Sequence, residues 1–232
     1  MDPTREWPAA QLRVVELVRG LDEAALARTV PACPDWSVRE LLSHVIGVGV
    51  DVVGGDEVDD HNDSWTQGHV EARRGRSLAE LLEEWDGLTD RMVAWMQANP
   101  ETGSRPVLDL TIHEQDLRGA LEKPGARDNE GLAYAFGIFS DRIGPDLREA
   151  GLAPVELTDG ESVEVLGTTG ADTEPGAVLT APRFELLRAM LGRRSPDQVR
   201  GWVTAGDVEP YLDHLAALGP LRTEPLHEPP AG

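Results

Sequence analysis

Two histidines and one aspartate have the residue types and the spacing of a divalent-metal site. Asp109 precedes His113 by four residues, and side chains at positions i and i+4 share one face of a helix. His44 stands among apolar residues in an earlier segment, and it can supply a third donor if the two helices are neighbours. Two imidazoles and one carboxylate leave an open position, which suits a catalytic zinc ion or another divalent metal such as iron(II), nickel or manganese.

The same three residues also allow an interpretation without a metal. An aspartate four residues before a histidine is common on helices, so Asp109 and His113 can form a pair on a helix surface. His44 would then be a core histidine that is satisfied by a hydrogen bond. The spacing alone is compatible with both interpretations.

The chain up to about residue 150 has the periodicity of helices. Ser37 with Glu40, and Ser77 with Glu80, are capping boxes that mark the starts of two of them. Apolar residues recur every three or four positions in five predicted helices. These are about Arg5–Arg19, a helix from Ser37 through Val48, Ser77–Trp95, about Gly103–Leu121 and about Asn129–Leu147. We interpret residues 51–76, which are rich in acidic side chains, as a solvated loop.

Short strands are predicted after Gly151. Residues 155–157 and 162–165 alternate in polarity around the turn at Asp159 and Gly160, and residues 176–180 are a third strand candidate. A helix is predicted after Pro182 and a last one near Glu209–Leu218.

These patterns predict an α+β protein with two domains. A helical bundle occupies residues 1–150 and a small α+β domain occupies residues 151–224. The proline-rich tail, residues 225–232, is predicted to be disordered.

The composition excludes several classes of function. The formal charge of −21, from 42 acidic and 21 basic residues, argues against a nucleic-acid or anionic-membrane surface. No apolar run reaches the roughly 18 residues of a membrane span, and the first residues lack the features of a signal peptide. The single cysteine, Cys33, excludes an intramolecular disulfide and a cysteine-based zinc knuckle. We therefore expect a cytoplasmic protein with no nucleic-acid or membrane partner, either a monomer or a homodimer.

Three segments resemble signatures of one known family, the mycothiol-dependent maleylpyruvate isomerases, which belong to the wider DinB-like metal-binding bundles. Pro31–His44 resembles the family's first signature, a Cys-Pro-Gly-Trp motif that ends in a histidine. Asp109–Leu121 is similar to its second signature, in which an acidic residue precedes a histidine by four positions. Leu191–Val199 is similar to the Gly-Arg-x-Ser turn of the family's second domain.

The resemblance implies an up-down four-helix bundle that holds a divalent metal, usually zinc. It assigns His44, Asp109 and His113 as the metal ligands. The family's pattern has glutamate where this chain has Asp109. The shorter side chain keeps the negative charge but alters the expected geometry of the site.

The resemblance also implies a reaction. A metal-bound small thiol, here mycothiol, is held as the thiolate nucleophile and attacks a small electrophilic substrate. Addition to a double bond followed by rotation gives isomerisation, and displacement of a leaving group gives S-transfer. Two alternatives remain, which are a metal-dependent hydrolase that uses activated water and a non-catalytic metal- or thiol-binding protein.

Two further residues are candidates for the catalytic machinery. Asp116 lies three residues after His113, where it can orient a ligand imidazole through a hydrogen bond or form a surface pair with Arg118 or Arg127. Arg193 can complement a helix dipole or bind a carboxylate, and the resemblance favours a functional role for it.

Cys33, Trp36 and two histidines have structural interpretations that we favour. Cys33 is either a fourth ligand, a nucleophile or a small packed residue, and we expect the last. Trp36 is expected in the core at one end of the bundle. His61 and His69 flank Trp65 in the predicted loop, where they can either line an entrance or be solvated, and we expect both to be solvated.

Overall fold

The computed structural model describes residues 1–58, 62–168 and 173–230. The N-terminal part is helical and the C-terminal part contains a small sheet, so the predicted α+β class is confirmed. None of the described helices combines the length and the apolar character that crossing a membrane requires.

Contacts divide the chain into two compact units. The first contains Met1–Gly131 with the chain end from Glu228, and the second contains Leu132–His227. The domain limits predicted from the sequence, at residues 150 and 224, stay a prediction. Within the second unit, the predicted tail has a buried residue, Leu226, whose backbone exchanges two hydrogen bonds with the side chain of Gln198.

The first unit is built from seven described helices and a small antiparallel hairpin. The helices are α1 (Pro3–Val18), α2 (Glu23–Leu26), α3 (Val38–Gly54), α4 (Asp63–Ala72), α5 (Leu78–Asp86), α6 (Thr89–Ala98) and α7 (Arg105–Ala120). The hairpin strands are β1 (Thr29–Val30) and β2 (Cys33–Ser37). Helix α1 contacts α6 and α7, and α3 contacts α5, α6 and α7. The helices α1, α3 and α7 and the consecutive pair α5–α6 therefore form the predicted four-helix bundle.

The starts of α3 and α5 follow directly from the sequence. The hydroxyl groups of Ser37 and Ser77 accept hydrogen bonds from the backbone N–H groups of Glu40 and Glu80, and both glutamates accept from the serine N–H groups in return. After these caps, one apolar face of each long helix packs into a shared hydrophobic core. That core holds α3 against α7, and these two helices carry the candidate site.

One predicted helix of the first unit is divided in the structure. The segment Ser77–Trp95 forms α5 and α6, which meet at Gly87 and Leu88. Glycine costs about 1 kcal/mol in a helix interior relative to alanine, which favours a break at this position.

The prediction of a solvated loop at residues 51–76 is wrong for much of this segment, because most of it is helical. Helix α3 continues to Gly54, and α4 begins where the side chain of Asn62 accepts a hydrogen bond from the Trp65 N–H. Asp59, Asp60 and His61 lie outside the described residues.

The second unit combines helices with a four-stranded sheet. Its elements are α8 (Glu130–Glu149, of which the unit contains the part from Leu132), β3 (Val155–Thr158), β4 (Val163–Leu166), β5 (Ala177–Thr180), α9 (Arg183–Met190), α10 (Pro196–Arg200) and β6 (Val203–Gly206). The strand order is β4-β3-β5-β6, with β3 and β5 parallel and the outer pairs antiparallel. Val155 lies opposite both Leu166 and Ala177, and all three are buried.

The last predicted helix is reduced to a short turn. Only Glu209–Tyr211 are helical, in a 3-10 turn, whereas Glu209–Leu218 was predicted. The backbone N–H of Ala217 donates to the carbonyl of Met190 at the end of α9. A tertiary hydrogen bond therefore replaces the helical one that the apolar periodicity predicted.

Candidate metal centre

Three side chains from α3 and α7 converge on one point. Oδ1 of Asp109 lies 3.7 Å from Nε2 of His44 and 3.6 Å from Nε2 of His113. One donor atom from each residue lies within 4.8 Å of the other two. The two imidazole rings are nearly perpendicular, at 88°, with their centroids 5.2 Å apart. The predicted trio is therefore brought together.

The helices explain how these side chains meet. His44 lies on α3 between buried residues on both sides, including Leu42 and Val45, and only 4% of its surface is exposed. Asp109 and His113 lie one turn apart on α7, which packs against α3. About a quarter of the Asp109 side chain is exposed to solvent, whereas His44 is buried.

The donor set fits a divalent metal. Zinc binds histidine nitrogen and carboxylate oxygen at about 2.0–2.2 Å, which places neighbouring donors of a tetrahedral site about 3.4 Å apart. The two distances from Asp109 are close to that separation without an ion. Three protein donors leave a fourth position for water or a small molecule, which is the pattern of catalytic sites.

Asp116 contacts the second ring nitrogen of His113, Nδ1, which faces away from Asp109. The distance from Nδ1 of His113 to Oδ2 of Asp116 is 3.0 Å, and Asp116 is 1% exposed. Arg118, by contrast, pairs with Glu114. Of the two roles considered for Asp116 from the sequence, the geometry therefore supports orientation of the imidazole.

Cys33 lies beside this pair. Its Sγ is 3.6 Å from Oδ2 of Asp116 and the residue is half-buried. Cys33, His113 and Asp116 form a second group whose donor atoms lie within 4.8 Å of one another, and it shares His113 with the first. Trp36 is half-buried rather than fully in the core, and its ring centroid lies 4.8 Å from that of His44.

His69 is the residue that the sequence prediction missed. It was expected to be solvated, but it is 5% exposed, and its Nδ1 lies 3.2 Å from Nδ1 of His44. Its Nε2 lies 3.0 Å from Oδ2 of Asp51, which also accepts a 2.7 Å hydrogen bond from Nε1 of Trp65. The one available signal was the start of α4 at Asn62, because a helix there places Trp65 and His69 on one face.

The charges of the trio are set by burial and by one another. Burial lowers the pKa of His44, and the interactions with Asp109 offset this only in part. Burial also opposes the charged form of His113, but the Asp109 charge and the hydrogen bond to Asp116 outweigh it and raise the pKa of His113 to about 10. The pKa of Asp109 is lowered, because the attraction of His113 and His44 exceeds the effect of its burial.

Arg193 lies in the second unit, in the turn between α9 and α10. Its guanidinium Nη1 donates a 2.6 Å hydrogen bond to the carbonyl of Leu191. The preceding Gly192 has a φ of +71°, which glycine adopts readily and which reverses the chain after α9. The functional role predicted for Arg193 stays a prediction.

A comparison of the sequence with models of known protein families agrees with this geometry. Residues 7–118 match the family model described as the mycothiol maleylpyruvate isomerase N-terminal domain. Over these residues the chain resembles a mycothiol maleylpyruvate isomerase N-terminal domain. The resemblance seen in the sequence is thereby confirmed. The trio and the neighbours described above all lie inside the matched region, whereas Arg193 lies outside it.

A structural comparison extends beyond residues 7–118. A crystal structure of a mutant of the mycothiol-dependent maleylpyruvate isomerase is similar to this chain with a TM-score of 0.62 and 13% sequence identity. The similarity covers 90% of this chain and 94% of that one, and at this identity it establishes the fold alone. No curated protein matches the sequence at a significant level.

Proposed function

We propose that this protein is a mycothiol-dependent metalloenzyme of the isomerase kind. His44, Asp109 and His113 would hold a divalent metal, for which zinc is the first candidate. The observation that carries the proposal is the convergence of two imidazole nitrogens and one carboxylate oxygen inside the region that matches the mycothiol maleylpyruvate isomerase N-terminal domain. The reaction would be a cis–trans isomerisation of a small electrophilic substrate in the cytoplasm.

The metal would supply one chemical effect, which is to favour the thiolate form of a small thiol whose ordinary pKa is about 8.5. The residues of the chain prepare the site for it. Asp109 contributes a negative charge that balances the metal, and its exposed edge leaves the approach for the thiol and the substrate. Asp116 holds Nδ1 of His113, so that Nε2 points toward Asp109.

Metal content tests the site. Purified protein without a tag should contain about one divalent metal per chain. His44→Ala and His113→Ala should lose it, and Asp109→Glu, which keeps the carboxylate, should retain it. His227→Ala is the matched control, because His227 is exposed. Wild-type protein that stays metal-free after reconstitution with zinc would contradict the proposal.

Turnover tests the reaction. The metal-loaded protein should isomerise maleylpyruvate only when mycothiol is present. Equal turnover without any thiol would support hydroxide chemistry instead, and formation of a stable thioether product would identify an S-transferase. Absence of turnover in fully loaded protein, with a panel of electrophiles and mycothiol, would leave a binding protein and contradict the enzymatic part of the proposal.

A further inference from the structure

We propose that His69 and Asp51 are positioning residues that hold His44 by its Nδ1, so that its Nε2 faces the metal position. This inference rests on the proposed metal role of His44. It assigns a function to two residues that lie on neighbouring helices, α3 and α4, in a segment where the sequence pattern indicated a loop.

A continuous chain of contacts leads from the protein surface to the trio. Trp65 donates from Nε1 to Oδ2 of Asp51 over 2.7 Å, and the same oxygen lies 3.0 Å from Nε2 of His69. Nδ1 of His69 then lies 3.2 Å from Nδ1 of His44. The remaining nitrogen of His44, Nε2, is the one that faces Asp109.

The position of each proton follows from the chemistry of these groups. A carboxylate only accepts hydrogen bonds, so a neutral His69 carries its proton on Nε2 and presents an unprotonated Nδ1. His44 must then donate from its own Nδ1, which leaves its Nε2 unprotonated. Asp109, at 3.7 Å, lies beyond hydrogen-bond distance and competes weakly for that proton. The Nε2 lone pair of His44 is therefore available to a metal without any rearrangement.

Helix α3 has a specific adaptation that admits the His69 ring. Gly47 lies on the same face of α3 as His44, and a Cβ atom placed on it would come within 2.3 Å of Cγ of His69. Any larger residue would push the ring of His69 out of its place. Burial of both histidines, at 4% and 5% exposure, also protects their hydrogen bond from competition by water.

These contacts distinguish His69 from a fourth ligand. Its Nδ1 meets His44 and its Nε2 meets Asp51, so both nitrogens are already occupied by protein groups. It approaches the nitrogen of His44 that faces away from Asp109. Its action on the site therefore passes through the orientation of His44, as in the carboxylate–histidine–metal arrangements of other metalloproteins.

Zinc affinity, measured by competition with a chelator, tests the proposal. His69→Phe fills the space of the ring but removes both nitrogens, and it should weaken zinc binding by about 10–100-fold. Gly47→Ala keeps every polar group and should weaken binding in the same direction. Asp51→Ala should weaken it by about tenfold, and Asp51→Asn, which retains an acceptor, should do so less. Glu71→Gln, on the exposed face of α4, is the matched control and should leave the affinity unchanged.

Nitrogen-15 NMR of the metal-free protein at pH 8.5 gives a readout that needs no metal. His44 should carry its proton on Nδ1 and His69 on Nε2, and the His44 pattern should be lost in His69→Phe. A proton on Nε2 of His44 in wild-type protein would overturn the inference, even if a variant fails to fold.

The two measurements separate this inference from the proposed function. If wild-type protein binds no zinc, the proposed function fails, and the NMR result alone decides whether His69 orients His44. If wild-type protein binds zinc and His44→Ala abolishes binding, but the His69, Gly47 and Asp51 variants bind normally, the inference fails and the proposed function stands.

Discussion

Nδ1 of His113 and Oδ2 of Asp116 are 3.0 Å apart on α7, and the side chain of Asp116 is completely shielded from solvent. Since Nε2 of the same ring faces Asp109, one imidazole is held on one side and offered to a metal on the other. The buried carboxylate fixes the proton on Nδ1 and increases the basicity of Nε2.

Removal of the Asp116 carboxylate should therefore weaken metal binding without removing a ligand. We expect Asp116→Asn to reduce zinc affinity by about 10-fold, and Asp116→Ala by up to about 100-fold. Chelator competition measures both values. Asp90→Asn, at an exposed position on α6, is the control. Zinc affinity in Asp116→Ala equal to that of wild-type protein would show that the contact is only structural.

Zinc binding to the metal-free protein should release close to one proton between pH 6.5 and pH 8.5. The raised pKa of His113, about 10, makes it charged in this range, while the lowered pKa of His44 leaves that residue neutral. Asp109, Asp116 and Cys33 are the groups that stabilise the charged form of His113, and His44 opposes it. A metal ion must displace this proton, so zinc affinity should rise by about tenfold per pH unit. Titration calorimetry in buffers of different ionisation enthalpy measures the release, and a pH-independent affinity would contradict the prediction.

Cys33 should be dispensable for metal binding. Its Sγ contacts Asp116, which approaches the Nδ1 side of His113 and not the Nε2 side where the trio converges. Cys33→Ser should keep the metal stoichiometry and the thiol-dependent turnover. Loss of the metal in this variant, with His227→Ala unaffected, would instead identify the second donor group, with Cys33 as a ligand.

Glu114 should be important for stability rather than for chemistry. Its carboxylate is fully buried, and it accepts hydrogen bonds from Arg13 and Arg118. Glu114→Gln removes the counter-charge of Arg118. It also removes one of the two carboxylates that pair with Arg13, which keeps Glu6. We therefore expect a loss of about 3 kcal/mol in the free energy of unfolding. Urea denaturation with EDTA present measures this loss without a contribution from metal. Glu83→Gln, at an exposed position on α5, is the control and should leave the urea midpoint of unfolding unchanged.

Local sequence rules predicted the features that depend on neighbouring residues in the chain. The capping boxes at Ser37 and Ser77 and the four-residue spacing of Asp109 and His113 are properties of single helices. The approach of His44 to that pair additionally needed the correct assumption that two long amphipathic helices pack together.

Features that depend on tertiary contacts were not accessible from the sequence. His69 lies on a short helix of only ten residues, which is marginal in isolation and is stabilised by packing against α3. The opening at Gly47 that receives its ring has no local signature. The apolar residues after Tyr211 have helical periodicity, but the chain there pairs its backbone with the end of α9 instead.

The three candidate ligands lie on two different helices, α3 and α7, and this arrangement would affect how fast the protein is degraded in the cell. An ion shared by His44 and the α7 pair would act as a cross-link between two helices that are distant in the sequence. Because the unfolded chain has no such preformed site, the free energy of binding would add to the free energy of folding. Metal supply would then govern how long each molecule survives proteolysis, and metal-starved cells would lose the protein itself as well as its activity.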